Sequence, residues 1–177
     1  MNKLKSISTF LFLFSITILT SCSVEPYEGI IPDPNANANT AGTYLMTGFN
    51  TSVPTDLNGD GNFSGNQMTE TACFNNNTLV LNIDNTFTAT QKGVEIDFSG
   101  ATNVLACYAD PNITGSWTLV NGTLTLTYMD TGVQYNDVYT VVGNTLKATI
   151  NQGDVIGIVS GSPITLTANI DIIYTKQ

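Results

Sequence analysis

Oxygen-bearing side chains alternate along residues 56–63, which read Asp-Leu-Asn-Gly-Asp-Gly-Asn-Phe. Glycines stand where such a loop must turn sharply, as in the first half of a calcium-binding loop. Calcium takes six to eight oxygen ligands, and the nearest further acid along the chain could add a carboxylate to this set. The candidate calcium ligands are Asp56, Asn58, Asp60, Asn62 and Glu70.

The same segment departs from a full calcium loop at its far end. The twelfth position of such a loop holds a bidentate glutamate, but Gln67 stands there and Glu70 follows three residues later. An incomplete charge set predicts weak binding, on the order of 0.1 to 1 mM. The alternative is a surface loop whose Asp and Asn side chains bond their own backbone.

Two further carboxylates, Glu95 and Asp97, alternate with apolar residues in a short predicted strand. Alternation places them on one face roughly 7 Å apart, a spacing between those of retaining and inverting glycosidases. Val94, Ile96 and Phe98 on the other face favour a half-buried strand with a solvated side. A carboxylate-dependent glycosidase is therefore the weakest functional hypothesis.

The composition removes most other catalytic chemistry. The chain has no histidine and no arginine, so it can build no Ser-His-Asp or Cys-His centre, no histidine zinc site and no arginine clamp. We therefore expect no catalytic residues and a protein that is not an enzyme.

Three cysteines are present, at positions 22, 73 and 107. If Cys22 is modified, Cys73 and Cys107 form an even pair, for which we predict a disulfide in an oxidising compartment. Two reduced thiols or a soft-metal site are the alternatives, and a metal is poorly served by two cysteines without histidine.

Residues 1–21 have the features of an export signal. A positive start containing Lys3 and Lys5 precedes an apolar run, Ile7 to Leu19, that is too short to span a bilayer. The run ends in Leu19-Thr20-Ser21-Cys22, which resembles the lipobox of bacterial lipoproteins. The resemblance implies cleavage before Cys22 and acylation of that cysteine; an ordinary signal with a chance cysteine is the alternative.

Residues 22–40 begin with the cysteine that the lipobox resemblance implies is lipidated, and they are rich in Pro and small polar residues, which predicts a flexible tether behind it. Without Lys3 and Lys5 the chain keeps three positive against fourteen negative residues, a net charge of −11. Nucleic acid is therefore excluded as a partner. The expected location is the cell envelope, with the outer membrane favoured; the sequence does not indicate whether the protein faces the periplasm or the cell surface.

Residues 41–177 show no helical periodicity, whereas short alternating runs rich in Thr, Val, Ile and Tyr recur between turn signals. This predicts one all-β domain, with tight turns at Asn121-Gly122, Asp130-Thr131-Gly132 and Gly143-Asn144. The predicted strands are Thr43–Phe49, Thr78–Ile83, Thr86–Gln91, Val94–Phe98, Gly115–Val120, Thr123–Met129, Val133–Val142, Thr145–Ile150, Val155–Val159 and Ile164–Tyr174.

Alternation also assigns the inward faces of these strands. Tyrosines and the single tryptophan could line a sugar or apolar ligand site, but packing within a small β domain is the favoured interpretation. The residues predicted to face inward are Trp117, Leu119, Leu124, Leu126, Tyr128, Leu166, Ala168, Ile170, Ile172 and Tyr174; Tyr135 and Tyr139 complete the aromatic set.

Four segments together resemble the small lipocalin-like domains of bacterial lipoproteins. They are Gly42-Thr43-Tyr44, residues 78–88, Gly115-Ser116-Trp117-Thr118-Leu119 and Thr123-Leu124-Thr125-Leu126-Thr127. The family usually has Trp where Tyr44 stands. The resemblance implies an antiparallel up-and-down barrel of about eight strands, with insertions at Val94 to Cys107 and Gln152 to Pro163.

The leading hypothesis is a non-enzymatic, membrane-anchored lipoprotein whose lipocalin-like barrel binds a small apolar ligand. The alternative is a surface interaction module with a solid barrel and a calcium-ordered loop that binds an envelope protein or glycan. A carrier requires a cavity of a few hundred Å³ at one end of the barrel, whereas an interaction module requires an exposed apolar patch.

Overall fold

The computed structural model describes residues 36–100, 104–159 and 161–177, which are mainly β-strands. The predicted signal and Cys22 lie outside the described residues. The short helical elements are α1 (Ala36–Thr40), α2 (Gln67–Glu70) and a 3-10 turn (Ala72–Phe74). The strands are β1 (Gly42–Thr55), β2 (Ser64–Asn66), β3 (Thr78–Leu81), β4 (Thr86–Asp97), β5 (Val104–Val120), β6 (Thr123–Asp130), β7 (Val133–Val142), β8 (Thr145–Val159) and β9 (Ser162–Lys176).

Eight of the strands form a closed antiparallel barrel. Strands β3 to β9 follow each other as a meander, and β1 pairs with β3 along one edge and with β9 along the other. The short β2 adds to β1 beyond the end of β3. Because β1 pairs with both β3 and β9, neither end of the meander has a free edge. This confirms the predicted all-β, up-and-down barrel of about eight strands.

The hairpin turns follow the predicted turn chemistry. Asn121 and Gly122 both have positive φ, 50° and 76°, as a type I′ turn requires between two strands. Thr131 and Gly132 adopt positive φ between β6 and β7, where the predicted Asp-Thr-Gly turn lies. These turns place β5, β6 and β7 side by side in a continuous ladder.

Two predicted strand breaks are wrong. Thr86–Gln91 and Val94–Phe98 belong mostly to one strand, β4, and Thr145–Ile150 and Val155–Val159 to another, β8. Both ladders are continuous through the predicted breaks; the β4–β5 ladder shifts register between Ala89 and Gln91, just before the first break, and the β8–β9 ladder between Ile150 and Gly153, at the second. The predicted insertions are accordingly the outer halves of two long hairpins, β4–β5 and β8–β9.

Glycines at these interruptions serve close packing instead of chain reversal. A Cβ at Gly93 would lie 2.7 Å from the Tyr108 ring, and one at Gly153 would lie 2.7 Å from Ile170. Since neither distance is compatible with a side chain, each glycine lets a neighbouring strand's side chain cover the backbone.

The core fills one part of the barrel interior. Trp117 is 1% exposed, and its indole N–H donates to the Asn82 carbonyl at 3.0 Å. The predicted inward residues are buried or half-buried, as expected, but Phe98 is 68% exposed, so its predicted inward position is wrong. The buried cluster contains Tyr44, Met46, Phe74, Leu79, Leu81, Phe87, Trp117, Leu124, Leu126, Tyr139, Leu146, Ala148 and Tyr174.

The last five residues of the predicted tether form α1 instead of extended chain. The Tyr44 hydroxyl donates to the Thr40 carbonyl at 2.7 Å, and the Lys176 ammonium donates to the Asn39 carbonyl at 2.6 Å. This turn is therefore fastened to the barrel. Among the residues that the structure describes, no helix is long and apolar enough to cross a membrane.

Candidate functional site at the barrel mouth

Three segments meet over one end of the barrel, which we call the mouth. The outer halves of the β4–β5 and β8–β9 hairpins contribute two sides, and β4 contacts β8 there. The connection from residue 56 to residue 77 contributes the third, with Leu57 and Phe74 buried. The mouth is consequently covered by parts of the chain that extend beyond the barrel ladder.

A disulfide fastens two of these segments together. Cys73, in the 3-10 turn, is bonded to Cys107, near the start of β5, and their Cα atoms lie 5.1 Å apart. This confirms the predicted pairing at the level of geometry. The bond ties the 56–77 connection to the β4–β5 hairpin and so fixes one side of the mouth.

The disulfide also positions two aromatic rings, because each cysteine is followed directly by an aromatic residue. Phe74 stacks on Phe49 with ring centroids 4.6 Å apart and an interplanar angle of 18°. Tyr108 lies over the backbone of Gly93, whose missing Cβ leaves room for the ring. Both rings border the same space beneath the covering segments.

That space is a cavity of about 150 Å³. Its walls are mainly aliphatic and aromatic, with one amide and one carboxylate among them. The lining residues are Phe49, Leu57, Gln67, Phe74, Val94, Tyr108, Asp154, Val155 and Ile156.

The amide in the wall is already engaged. Gln67 is only 2% exposed; its Nε2 donates to the Thr51 hydroxyl and the Ser64 carbonyl, both at 3.1 Å. Its Oε1 accepts from the Thr55 hydroxyl at 2.7 Å. Since both amide hydrogens are used, Gln67 holds the connection in place and has no free donor for a ligand.

The carboxylate in the wall, Asp154, is exposed, and Tyr108 on β5 adds a hydroxyl group. Burial, with smaller contributions from Asp110 and Glu95, raises the pKa of its hydroxyl, so the group is neutral at physiological pH. A neutral hydroxyl and apolar walls favour an uncharged, largely apolar occupant.

The cavity size limits that occupant. A cavity of about 150 Å³ with apolar walls is large enough to bind benzene, whereas drug-sized ligands occupy roughly 300–1,000 Å³. The mouth therefore suits a single ring or a short alkyl group. The cavity is smaller than the few hundred Å³ expected of a carrier.

The predicted calcium loop is folded around its own backbone. The Asp56 carboxylate accepts from the amides of Gly59 at 2.7 Å, Asp60 at 3.1 Å and Gly61 at 2.9 Å. Asn58 accepts from the Asp60 amide at 2.9 Å and Asp60 from the Asn62 amide at 2.7 Å. These are the Asx-type bonds of the alternative interpretation.

Glu70 does return toward this loop. It is 7% exposed, and its Oε2 accepts from the Leu57 amide at 3.2 Å. Its carboxylate thus approaches the chain next to Asp56. Within the described ranges, however, no group of three or more His, Cys, Asp or Glu side chains is arranged to hold a metal ion.

The Glu95 and Asp97 pair lies on β4 near the tip of the first long hairpin. Glu95 is exposed, and Asp97 accepts from the Ser99 amide at 2.8 Å. The bond to Ser99 lowers the pKa of Asp97. A glycosidase acid requires the opposite shift.

Sequence reasoning did not single out Phe49, Leu57, Phe74 or Tyr108. One signal was nevertheless present, because a disulfide between Cys73 and Cys107 brings the backbones of Phe74 and Tyr108, the residues that follow them, into the same region. The burial of Leu57 and Gln67 had no comparable signal, since both lie in a segment without strand periodicity.

Comparison with protein-family models, curated proteins and solved structures yields no significant match. The fold and the mouth cavity therefore stand on this chain's own geometry.

Proposed function

We propose that the protein is a non-enzymatic, lipid-anchored binding module of the cell envelope, and that its barrel mouth takes a small apolar ligand or the apolar end of a larger one. The observation that carries the proposal is the cavity of about 150 Å³ between Phe49, Phe74, Val94, Tyr108 and Val155. The resemblance to lipocalin-like lipoprotein domains supports it at the level of architecture.

The way the mouth is built favours binding over simple core packing. The interior below it is filled by Trp117, Leu124 and Leu146, each at most 1% exposed, whereas the covered end keeps an unfilled space. Leu57 and Phe74 are held over that space by the Gln67 bonds and the disulfide. A preformed apolar site loses little conformational freedom when it binds.

The proposal is tested with benzene as the probe and the full chain in nonionic detergent micelles. Methyl NMR spectra should show saturable ring-current shifts at Val94, Val155 and Ile156. Val94→Phe places a ring in the cavity and should abolish the saturable shifts. Ile156→Phe, from a different strand, should have the same effect.

The matched control is Val142→Phe, which makes the same substitution at a side chain that is 64% exposed on the barrel exterior. It should leave the shifts unchanged, and it also corrects for partitioning of benzene into micelles. Equal shifts in Val94→Phe, Ile156→Phe and the unsubstituted chain would contradict binding in the mouth.

The anchor is tested separately at Cys22. We expect mass spectrometry of the membrane fraction to show acyl chains on Cys22, because about 0.8 kcal/mol per buried methylene makes multiple acylation an effectively permanent anchor. Cys22→Ser should remove both the acyl mass and the membrane association. Membrane association that survives in Cys22→Ser would contradict the lipid anchor.

The alternative, a surface interaction module with a calcium-ordered loop, is favoured by one observation, the return of Glu70 to the loop at Leu57. Calcium that binds only the folded protein would raise the unfolding midpoint with concentration. This alternative predicts such a rise in millimolar calcium and its loss in Asp60→Ala. A midpoint that is the same in chelator and in calcium would exclude it.

A further inference from the structure

A second opening lies in the barrel wall, away from the mouth. Strands β7 and β8 pair over only three positions, Thr140–Val142 with Thr145–Lys147. Beyond these positions β7 continues to pair with β6, and β8 with β9, but no pairing joins β7 to β8 among the described residues. The two strands separate there and leave what we call the lateral window.

The lateral window contains a pocket of about 330 Å³. Side chains from the inner face of the barrel, Asp137, Tyr139, Ala148 and Ile150, line it together with outer-face residues such as Val138. Because residues of both faces line the same pocket, it connects the barrel interior with solvent between the two strands.

Asp137 gives this pocket an unusual chemical character. It shares the inward face of β7 with buried Tyr139, and it is half-buried. Its carboxylate interacts with the Tyr128 hydroxyl, and burial raises the pKa of Asp137. Its charge is thus partly desolvated; the Tyr128 hydroxyl offsets part of the cost in free energy, and a cation in the pocket would offset more.

No lysine compensates it within the part of the chain that the structure describes. Among these residues, Lys147 on β8 forms an ion pair with Asp171 on β9 at 2.8 Å. The Lys176 ammonium donates to the Asn39 carbonyl at 2.6 Å. Asp137 therefore faces the pocket without a positive partner among these residues.

Two tyrosines are close to this carboxylate: Tyr139 lines the pocket with it, and the Tyr128 hydroxyl bonds to it. Tyr128 stacks on Tyr135 with centroids 5.7 Å apart, and Tyr139 meets Tyr174 edge-on at 6.2 Å. Tyrosine ring faces attract cations, and a nearby carboxylate supplies a charge-assisted hydrogen bond. The carboxylate and the Tyr139 ring together match an organic ammonium group that carries an apolar substituent.

We propose that the lateral window binds a small organic cation, a primary amine whose ammonium group bonds to Asp137 and whose apolar part lies against Tyr139 and Ile150. The large excess of acidic residues, fourteen against five Lys and Arg, raises the local concentration of cations. This site is distinct from the mouth and does not depend on the function proposed for it.

The test uses benzylamine, which is protonated at neutral pH, with benzyl alcohol as its neutral counterpart. Because a single ring also fits the mouth, titration calorimetry uses the full chain with Val94→Phe, which fills the mouth, in nonionic detergent micelles. It should show saturable binding of benzylamine and at least about tenfold weaker binding of benzyl alcohol, a difference of about 1.4 kcal/mol. Asp137→Asn, which preserves shape, should weaken benzylamine binding by at least about tenfold.

Two variants locate the site. Asp154→Asn removes the same charge at the mouth and should leave benzylamine affinity within about twofold. Ile150→Lys introduces an ammonium group opposite Asp137 and should abolish binding, whereas Ile150→Met should retain it. Ile150 is 44% exposed, so both substitutions are compatible with folding.

Three results would each overturn the proposal. The first is the absence of benzylamine binding at millimolar concentration. The second is equal affinity for benzylamine and benzyl alcohol, which would show that the carboxylate is not used. The third is an equal loss in Asp137→Asn and Asp154→Asn, which would indicate a general charge effect or binding at the mouth.

Discussion

The disulfide gives the most quantitative prediction. Replacing both Cys73 and Cys107 by Ala opens a loop whose ends are 34 residues apart in the sequence. The chain-entropy relation assigns roughly 3.5 to 4 kcal/mol to closing a loop of this length. Neither cysteine belongs to the buried core, so the substitution leaves little cavity and the entropy contribution dominates.

We expect the double variant to lose about 3 to 4 kcal/mol in the free energy of unfolding, measured by urea denaturation of the full chain. The corresponding fall in Tm is about 8 to 15 °C for a chain of this size. The unsubstituted protein treated with a reductant is the matched control, and it should unfold at the same urea concentration as the variant.

A loss in the free energy of unfolding below about 1 kcal/mol would refute this reasoning, provided that thiol titration shows the disulfide of the unsubstituted protein to be intact. It would mean that the loop between the two cysteines is already constrained in the unfolded chain without the bond. Benzene binding gives a second readout. The double variant should bind benzene more weakly, because Phe74 and Tyr108 are no longer fixed relative to each other.

Three further outcomes follow from single residues. Burial raises the pKa of Tyr174 to about 12, so the free energy of unfolding should fall as the pH rises from about 10, where the unfolded tyrosine ionises, to about 12. Over this range the free energy of unfolding of Tyr174→Phe, measured in urea titrations, should fall by about 2 to 3 kcal/mol less. Asp137→Asn should raise Tm at neutral pH, because it removes a partly desolvated charge. The Asn77 side chain donates to the Lys92 carbonyl at 2.8 Å and accepts from the Lys92 amide at 3.0 Å. Asn77→Ala leaves both backbone groups without partners and should lower the free energy of unfolding by about 2 to 4 kcal/mol in urea denaturation.

The barrel was predictable because its signals are local. Alternation on β6 and β9 places Leu124, Leu126 and Tyr174 inside, and the turn residues at Asn121-Gly122 fix the register between β5 and β6. The strand breaks predicted at Gly93 and Gly153 are wrong. A glycine that accommodates a neighbouring ring or branched side chain cannot be distinguished in the sequence from one that turns the chain.

The candidate sites were less predictable because they depend on contacts between distant segments. The mouth needs the 56–77 connection folded over the barrel, which is held by buried polar bonds such as Gln67 to Thr55 that have no periodic signature. The lateral window needs β7 and β8 to separate before Thr140 on β7 and after Lys147 on β8, although each strand continues without a break past that point. Asp137 therefore reads in the sequence as an ordinary strand residue.

Xenon binding in crystals tests the central claim, an accessible apolar cavity at the mouth, most directly. Xenon occupies dry apolar cavities of this size and is located by its anomalous scattering. We predict a xenon peak between Phe74, Val94 and Val155 that is absent in Val94→Phe crystals. Pressurised crystals with no xenon at the mouth, or with the same peak in both proteins, would contradict the account.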